Sequence, residues 1–208
     1  TVVFSRWGKV AAATTASTLI QKYKISELIF TGVAGAIDPR LKIGDIVLGE
    51  RLIQHDMDAR PLMNQYEIPL LGKTYFETDS LHLKIAEHAI SDLISEKRIH
   101  QVFSAETLDS FNIKSPRLFV GDIASGDQFI ADDLHKENLH SQLPTTLCVE
   151  MEGAAVAQVC YEYEIPFLII RTISDEANNN SHIDFPRFIK NISSKYSIEI
   201  IKNIYQSK

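Results

Sequence analysis

"TTLCVEMEGAAVAQVCYEYEIPFLIIRTISD", residues 145–175, passes from strand to helix to strand. TTLCVEM is short and apolar until its glutamates. GAAVAQVCYEYE then supplies small and apolar residues at helical spacing. PFLIIRTISD is apolar on both faces before it ends in polar residues. A strand of that kind belongs in a sheet covered on both sides by helices, and such sheets are mostly parallel. The alternation recurs along the chain. "TVVF" (1–4), "ELIFTG" (27–32), "DIVLGERLIQHD" (45–56) and "RLFVGDIASGDQFI" (117–130) read as further strands. Helices are expected from Gly8 through KVAAATTASTLIQKY, over 79–97, from Ala131, and over 185–206 with Pro186 in the first turn. Residues 100–116 are polar and ambiguous. Residues 57–76, with Pro61, Pro69 and Gly72, read as a long irregular loop. The pattern predicts an α/β fold: a single-domain, three-layer sandwich around a mixed, mostly parallel central sheet. In such folds ligands sit outside the carboxyl ends of the strands. The strand ends here carry TGVAG, HDMD, SGDQF, EME and ISD.

Composition narrows the classes. The chain has 208 residues, 45% of them hydrophobic, which suits one core of useful size. The net charge is −6 and no run of Lys or Arg forms a basic footprint, so a nucleic-acid partner is not expected. No apolar stretch approaches the roughly 18 residues of a membrane span. No signal peptide is apparent, so a cytoplasmic location is the expectation. Cys148 and Cys160 both lie in apolar context and read as reduced core residues. His55, Asp56 and Asp58 are close in sequence, but no second histidine cluster supports a metal, and none is expected. No cofactor motif occurs either; the glycine loop at 32–35 is neither a P-loop nor a dinucleotide fingerprint.

Three strand ends offer chemistry. If VEME continues as a strand, Glu150 and Glu152 share one face, with carboxylates about 6–7 Å apart. Two such anions raise each other's pKa unless a cation intervenes, and Arg171 on the next strand is the natural partner for one of them. A carboxylate also suits a vicinal diol, because its two oxygens accept from both hydroxyls. A solvated or salt-bridged strand end is the plainer reading of the same pair. Asp175 follows a dry strand, where a raised pKa would suit a general acid; an ordinary loop aspartate is the alternative. Phe129 beside the Gly126–Asp127 turn either stacks on a flat ring or fills the core.

Together, "SRWGKVAAA", "TGVAGAIDPRLKIGDIVL", "HDMDA", "GDIASGDQFI", "VEMEGAAVAQVC" and "PFLIIRTISD" resemble the purine nucleoside phosphorylase and hydrolase superfamily. Within it, they are most similar to the bacterial 5′-methylthioadenosine/S-adenosylhomocysteine nucleosidases. The resemblance runs from Val2 to about Tyr205, and VEMEGAA with RTISD is its specific part. It implies that Asp175 is the general acid toward adenine N7, oriented by Ser174. It implies that Glu152 binds the ribose hydroxyls with Met151 against the sugar. Phe129 would stack on adenine and the Ile130 backbone would read its edge, while Val33, Ala34 and Gly35 would also bind the substrate. It further implies a homodimer, in which Leu62, Met63 and Pro69 wall the partner's 5′-substituent pocket. Glu150 and Arg171 would support the site from beneath.

The chain departs from that pattern in three places. The family's water-activating glutamate belongs to a GAMEEE-like segment absent here, so a segment ahead of Thr1 is expected. Val33 stands where a loop serine is common, and Arg6 and Trp7 replace the usual Gly-Ile of SGIGK. Related phosphorylases carry a phosphate-holding arginine where this chain has Phe30, which favours water as the acceptor. Phosphorolysis, through Arg6, and a catalytically impaired nucleoside-binding protein are the alternatives. An O-glycosidase using Glu150 and Glu152 fits poorly, since carboxylates on one strand face do not flank a bond.

Overall fold

The computed structural model describes residues 1–206. The chain runs α1 (Lys9–Tyr23), β1 (Leu28–Ala36), β2 (Ile46–Gln54), β3 (Tyr75–Glu77), α2 (Ser80–Ser95), α3 (Arg98–Val102), α4 (Ala105–Ser110) and β4 (Leu118–Ser125). It continues through α5 (Asp133–Gln142), β5 (Thr146–Glu150), α6 (Gly153–Glu162), β6 (Phe167–Asp175) and α7 (Ser181–Phe188). A π-helical turn, Ile189–Ser193, then leads into α8 (Ser194–Gln206). No described helix is long and apolar enough to cross a membrane.

The six strands are ordered β3-β2-β4-β5-β1-β6, and β2 also pairs with β6, so five of them close into a ring. The long pairings are parallel: β1 with β6 from Leu28↔Phe167 to Gly35↔Asp175, and β2 with β4 from Ile46↔Leu118 to Gln54↔Ser125. β4 and β5 are parallel as well. The antiparallel contacts are short. They join Gly35 and Ala36 to Val149 and Cys148, the first half of β2 to β6, and its second half to β3. β5 therefore runs against β1, which the strand–helix–strand reading of 145–175 does not reveal.

Helices cover both faces. α1 presents Ala12, Ala16 and Ile20 at four-residue spacing, and its small side chains let it lie close on α6, itself nearly all Ala, Gly and Val on the buried side. That layer packs on Val47, Ile123, Cys148 and Ile169. The opposite layer sets Ala86, Ile90 and Leu93 of α2 and Tyr196, Ile200 and Ile204 of α8 on Ile46, Leu48, Leu168 and Ile170. Alternate residues of β2 and β6 thus enter different cores, as a pleated strand requires.

Caps set the helix starts. Asp79 accepts from the Leu81 and His82 amides ahead of α2, and Asp132 from the His135 amide ahead of α5. α1 is preceded by Gly8 at φ 89°, a left-handed value that only glycine reaches easily.

Four expectations need correction. Residues 1–6 form no strand, and Val2 and Phe4 are exposed. The span 57–76 is not structureless to its end: Ile68 bridges Lys73, and β3 begins at Tyr75. The ambiguous 100–116 region contains α4 and most of α3. The last helical region begins at Ser181, so Pro186 lies inside α7 rather than in a first turn.

Candidate active site

A cavity of about 420 Å³ opens where β1, β5 and β6 end, beside the loop after β4. Its walls include Val33, Ala34 and Gly35 from β1, Phe129 and Ile130 from the loop, and Met151 and Glu152 after β5. Ser174 and Asp175 close it from β6. The structure therefore brings together the nine residues named from sequence as catalytic or substrate-binding. The three assigned to the partner's pocket lie elsewhere: Leu62 and Pro69 are exposed, Met63 is half-buried, and none lines this cavity.

Asp175 reaches the cavity through an irregularity in the sheet. β1 and β6 pair in step to Ala34↔Ile173, and the next pair is Gly35↔Asp175, so Ser174 is an extra residue on β6. A bulge of this kind re-aims the side chain that follows it. The Asp175 carboxylate is only 1% exposed. Its Oδ2 accepts from Ser174 Oγ at 2.7 Å, and its Oδ1 from the Ala177 amide at 2.9 Å. Gly35 permits the approach, since a Cβ there would stand 3.0 Å from Asp175 Oδ1.

Glu150 and Glu152 do not share a strand face. β5 stops at Glu150, the backbone turns, and Glu152 occupies the cap position of α6. The two carboxylates consequently have different surroundings. Glu150 is buried and takes the Arg171 Nη2 at 2.5 Å and Nε at 3.1 Å. It also accepts from the Glu152 and Gly153 amides and from Ser125 Oγ. Arg171, itself 1% exposed, uses its remaining Nη1 on the carbonyls of Ile170 and Phe30, and its guanidinium lies 4.4 Å over the Phe30 ring. Every nitrogen of the guanidinium is engaged. This is the compensation that a buried ion pair requires.

Glu152 accepts from the Gly8 amide at 2.9 Å. Burial, followed by the charge of Glu150, raises its carboxyl above the ordinary glutamate value, against the smaller opposing effect of Arg171 and the Gly8 amide.

Phe129 is 47% exposed, so it does not fill the core. Its ring meets Phe185 of α7 edge-on at 5.4 Å, and Phe185 meets Trp7 at 5.7 Å. This aromatic row spans the mouth of the cavity. Phe185, Ile189 and Ser193 also line it, and sequence reading missed all three. The signal was faint: an aromatic residue at the head of a helix that looked devoted to the core.

Among the described residues no group of three or more His, Cys, Asp or Glu side chains is placed to hold a metal. Of the HDMD residues, Asp56 binds Lys9 and Asp58 pairs with Arg60.

The sequence family described as the Phosphorylase superfamily matches residues 1–204. A 5′-methylthioadenosine/S-adenosylhomocysteine nucleosidase of Shewanella denitrificans is 35% identical over 184 residues, covering 88% of this chain and 70% of that protein. The S-adenosylhomocysteine nucleosidase of Streptococcus pyogenes, solved with 5-methylthiotubericidin, superimposes with a TM-score of 0.81 at 30% identity. The match covers 97% of this chain and 76% of that one. Futalosine hydrolase of Helicobacter pylori gives a TM-score of 0.79 at 30% identity, over 98% and 78% of the two chains.

Proposed function

The chain belongs to the phosphorylase superfamily, and from that membership we propose that its cavity hydrolyses the N-glycosidic bond of 5′-methylthioadenosine and S-adenosylhomocysteine. The products are adenine and the 5-substituted ribose. One observation carries the reading: a buried aspartate, a capping glutamate and a half-exposed phenylalanine meet in one cavity at the strand ends.

Breaking the bond builds positive charge on the ribose and negative charge on the departing purine. Asp175 donates a proton to adenine N7, and the base leaves neutral. Ser174 Oγ and the Ala177 amide hold the carboxyl in place. Glu152 keeps one acceptor position on the Gly8 amide, and its other lone pairs take the ribose hydroxyls. Its charge then lies beside the developing cation. Phe129 stacks on the purine, the Ile130 backbone meets its edge, and Met151 packs on the sugar. Val33, Ala34 and Gly35 supply the wall beneath the ribose.

Water is the acceptor in this reading: it adds to C1′ as the bond to N9 breaks, and the proton it gives up returns to solvent while Asp175 is reprotonated from solvent. Of the two arginines that line the cavity, the buried one, Arg171, is wholly engaged by Glu150, Phe30 and Ile170, and the other, Arg6, is exposed; phosphorolysis through Arg6 is the alternative that a phosphate-free assay separates. A phosphate pocket needs a cation free to bind it. The protein acts as one domain, as a homodimer whose loop with Leu62, Met63 and Pro69 walls the partner's 5′-substituent pocket. It works in the cytoplasm, in methionine salvage.

The test is adenine release from 5′-methylthioadenosine in phosphate-free buffer. Release is expected without phosphate, and Asp175→Asn is expected to slow it by about 10²–10⁴-fold while the nucleoside still binds. A strict phosphate requirement would remove the hydrolytic reading. Full rate in Asp175→Asn would remove Asp175 as the acid.

A further inference from the structure

We propose that Lys9 is a positioning residue that fixes the sugar-binding and base-binding sides of the cavity to the start of one helix. The inference rests on the nucleosidase reading of the cavity and concerns residues outside its lining. Lys9 is the first residue of α1, and its side chain is only 16% exposed. Its ammonium donates to Asp56 Oδ1 at 2.7 Å and to Gln54 Oε1 at 3.1 Å, and stands 3.8 Å from Asp127 Oδ2. Its backbone amide donates to Asp127 Oδ1 at 3.1 Å. Asp56 closes the loop, because its Oδ2 accepts from the Asp127 amide at 2.9 Å.

Two recognition elements hang on this cluster. The turn carrying Asp127 leads directly to Phe129, the ring set against the purine. The amide of Gly8, one residue before Lys9, holds Glu152, the carboxylate set against the ribose. The cluster also reaches α6. Gln54 accepts from Lys9, so its amide nitrogen points to Gln158 Oε1 at 2.6 Å, and Gln158 in turn donates to Glu162. Lys9 thereby ties the end of β2, the turn after β4 and α6 to α1.

The turn cannot drift toward β2. A Cβ at Gly126 would fall 2.3 Å from His55 Nε2, a ring nitrogen with no hydrogen-bond partner among the described residues. The turn is packed on one side by the His55 ring and drawn on the other by Asp56 and Lys9. Burial raises the Asp56 carboxyl, but the Lys9 ammonium and the Asp127 amide outweigh it and hold that group below the ordinary range. Asp56, one of the acidic residues of the HDMD stretch, is thus satisfied by a lysine.

Calorimetric titration of 5′-methylthioadenosine into Asp175→Asn protein, with and without Lys9→Met, tests the role. Lys9→Met is expected to weaken binding about tenfold, the change that loss of one charge-assisted hydrogen bond brings. Lys9→Arg is expected to recover most of it. In protein with Asp175 intact, Lys9→Met should raise KM much more than it lowers kcat. Asp127→Ala, at an exposed turn, gives the same direction of change should Lys9→Met fold poorly. A lower melting temperature with unchanged affinity in these variants overturns the positioning role alone. An Asp175→Asn protein that binds no 5′-methylthioadenosine overturns both the role and the function it rests on.

Discussion

Glu152 sits in a surrounding that makes its charged form costly. Burial and the neighbouring Glu150 raise its carboxyl above the ordinary value of 4.5. A carboxyl raised by folding contributes stability at low pH, and that contribution is lost as pH rises through the folded value. The empty protein at neutral pH is therefore destabilised by holding this charge. Glu152→Gln is expected to raise the melting temperature at neutral pH, and the gain should shrink toward pH 4.5, where the ordinary glutamate also protonates. Melting curves of both proteins across that range test it; a gain that ignores pH would place the origin elsewhere. The same substitution should weaken nucleoside binding. Sequence alternation identified both glutamates and the arginine that pairs with one of them. It erred on their geometry, because strand periodicity says nothing about where a strand stops, and β5 stops one residue before Met151.

At the level of elements, β6 does two things in sequence. Phe167–Ile173 is a fully buried strand, and the single extra residue Ser174 then turns Asp175 into the cavity. The strand was legible from its apolar run, and so was its polar end. The bulge was not, since one inserted residue leaves no trace in a run already apolar on both faces. Arg171 is the one cation inside that run. Arg171→Met would leave Glu150 buried with only neutral donors. A broken buried pair costs about 3–5 kcal/mol. In a chain of this size that is a fall in melting temperature of roughly 6–20 °C. Adding Glu150→Gln should return part of the loss. A double variant no better than the single would show that the amide and hydroxyl donors suffice for the carboxylate.

Across the whole molecule, helix and strand types were readable from spacing, and pairing was not. β2 meets β3, β4 and β6, which lie 20 to more than 100 residues away in the chain, and no local pattern encodes that choice. The core between the sheet and the α1–α6 layer is dry. Burial pushes the Cys160 thiol up to about 12, and burial with the charge of Glu150 pushes Cys148 higher still. Both thiols are free and buried. A thiolate-seeking reagent is therefore expected to find no fast-reacting cysteine in the native protein and two once denaturant is added. A cysteine that reacts at the native stage at the rate of a free thiol would mean that the core opens readily. Leu62, Met63 and Pro69 are the least legible of the residues singled out in sequence: none of them lines the cavity of its own chain.

The π-helical turn at Ile189–Ser193 makes the last helical region behave like a crankshaft with two throws. Ahead of it, Phe185 faces the cavity; behind it, Tyr196, Ile200 and Ile204 face α2. Ile189 and Ser193, inside the wide turn, keep to the cavity side. Removing one residue from that turn would restore regular winding and rotate one throw against the other by about 100°. Either the aromatic wall would swing off the cavity or α8 would lift its apolar stripe from the core. A deletion in this turn thus sets the shape of the mouth against the seating of the final helix.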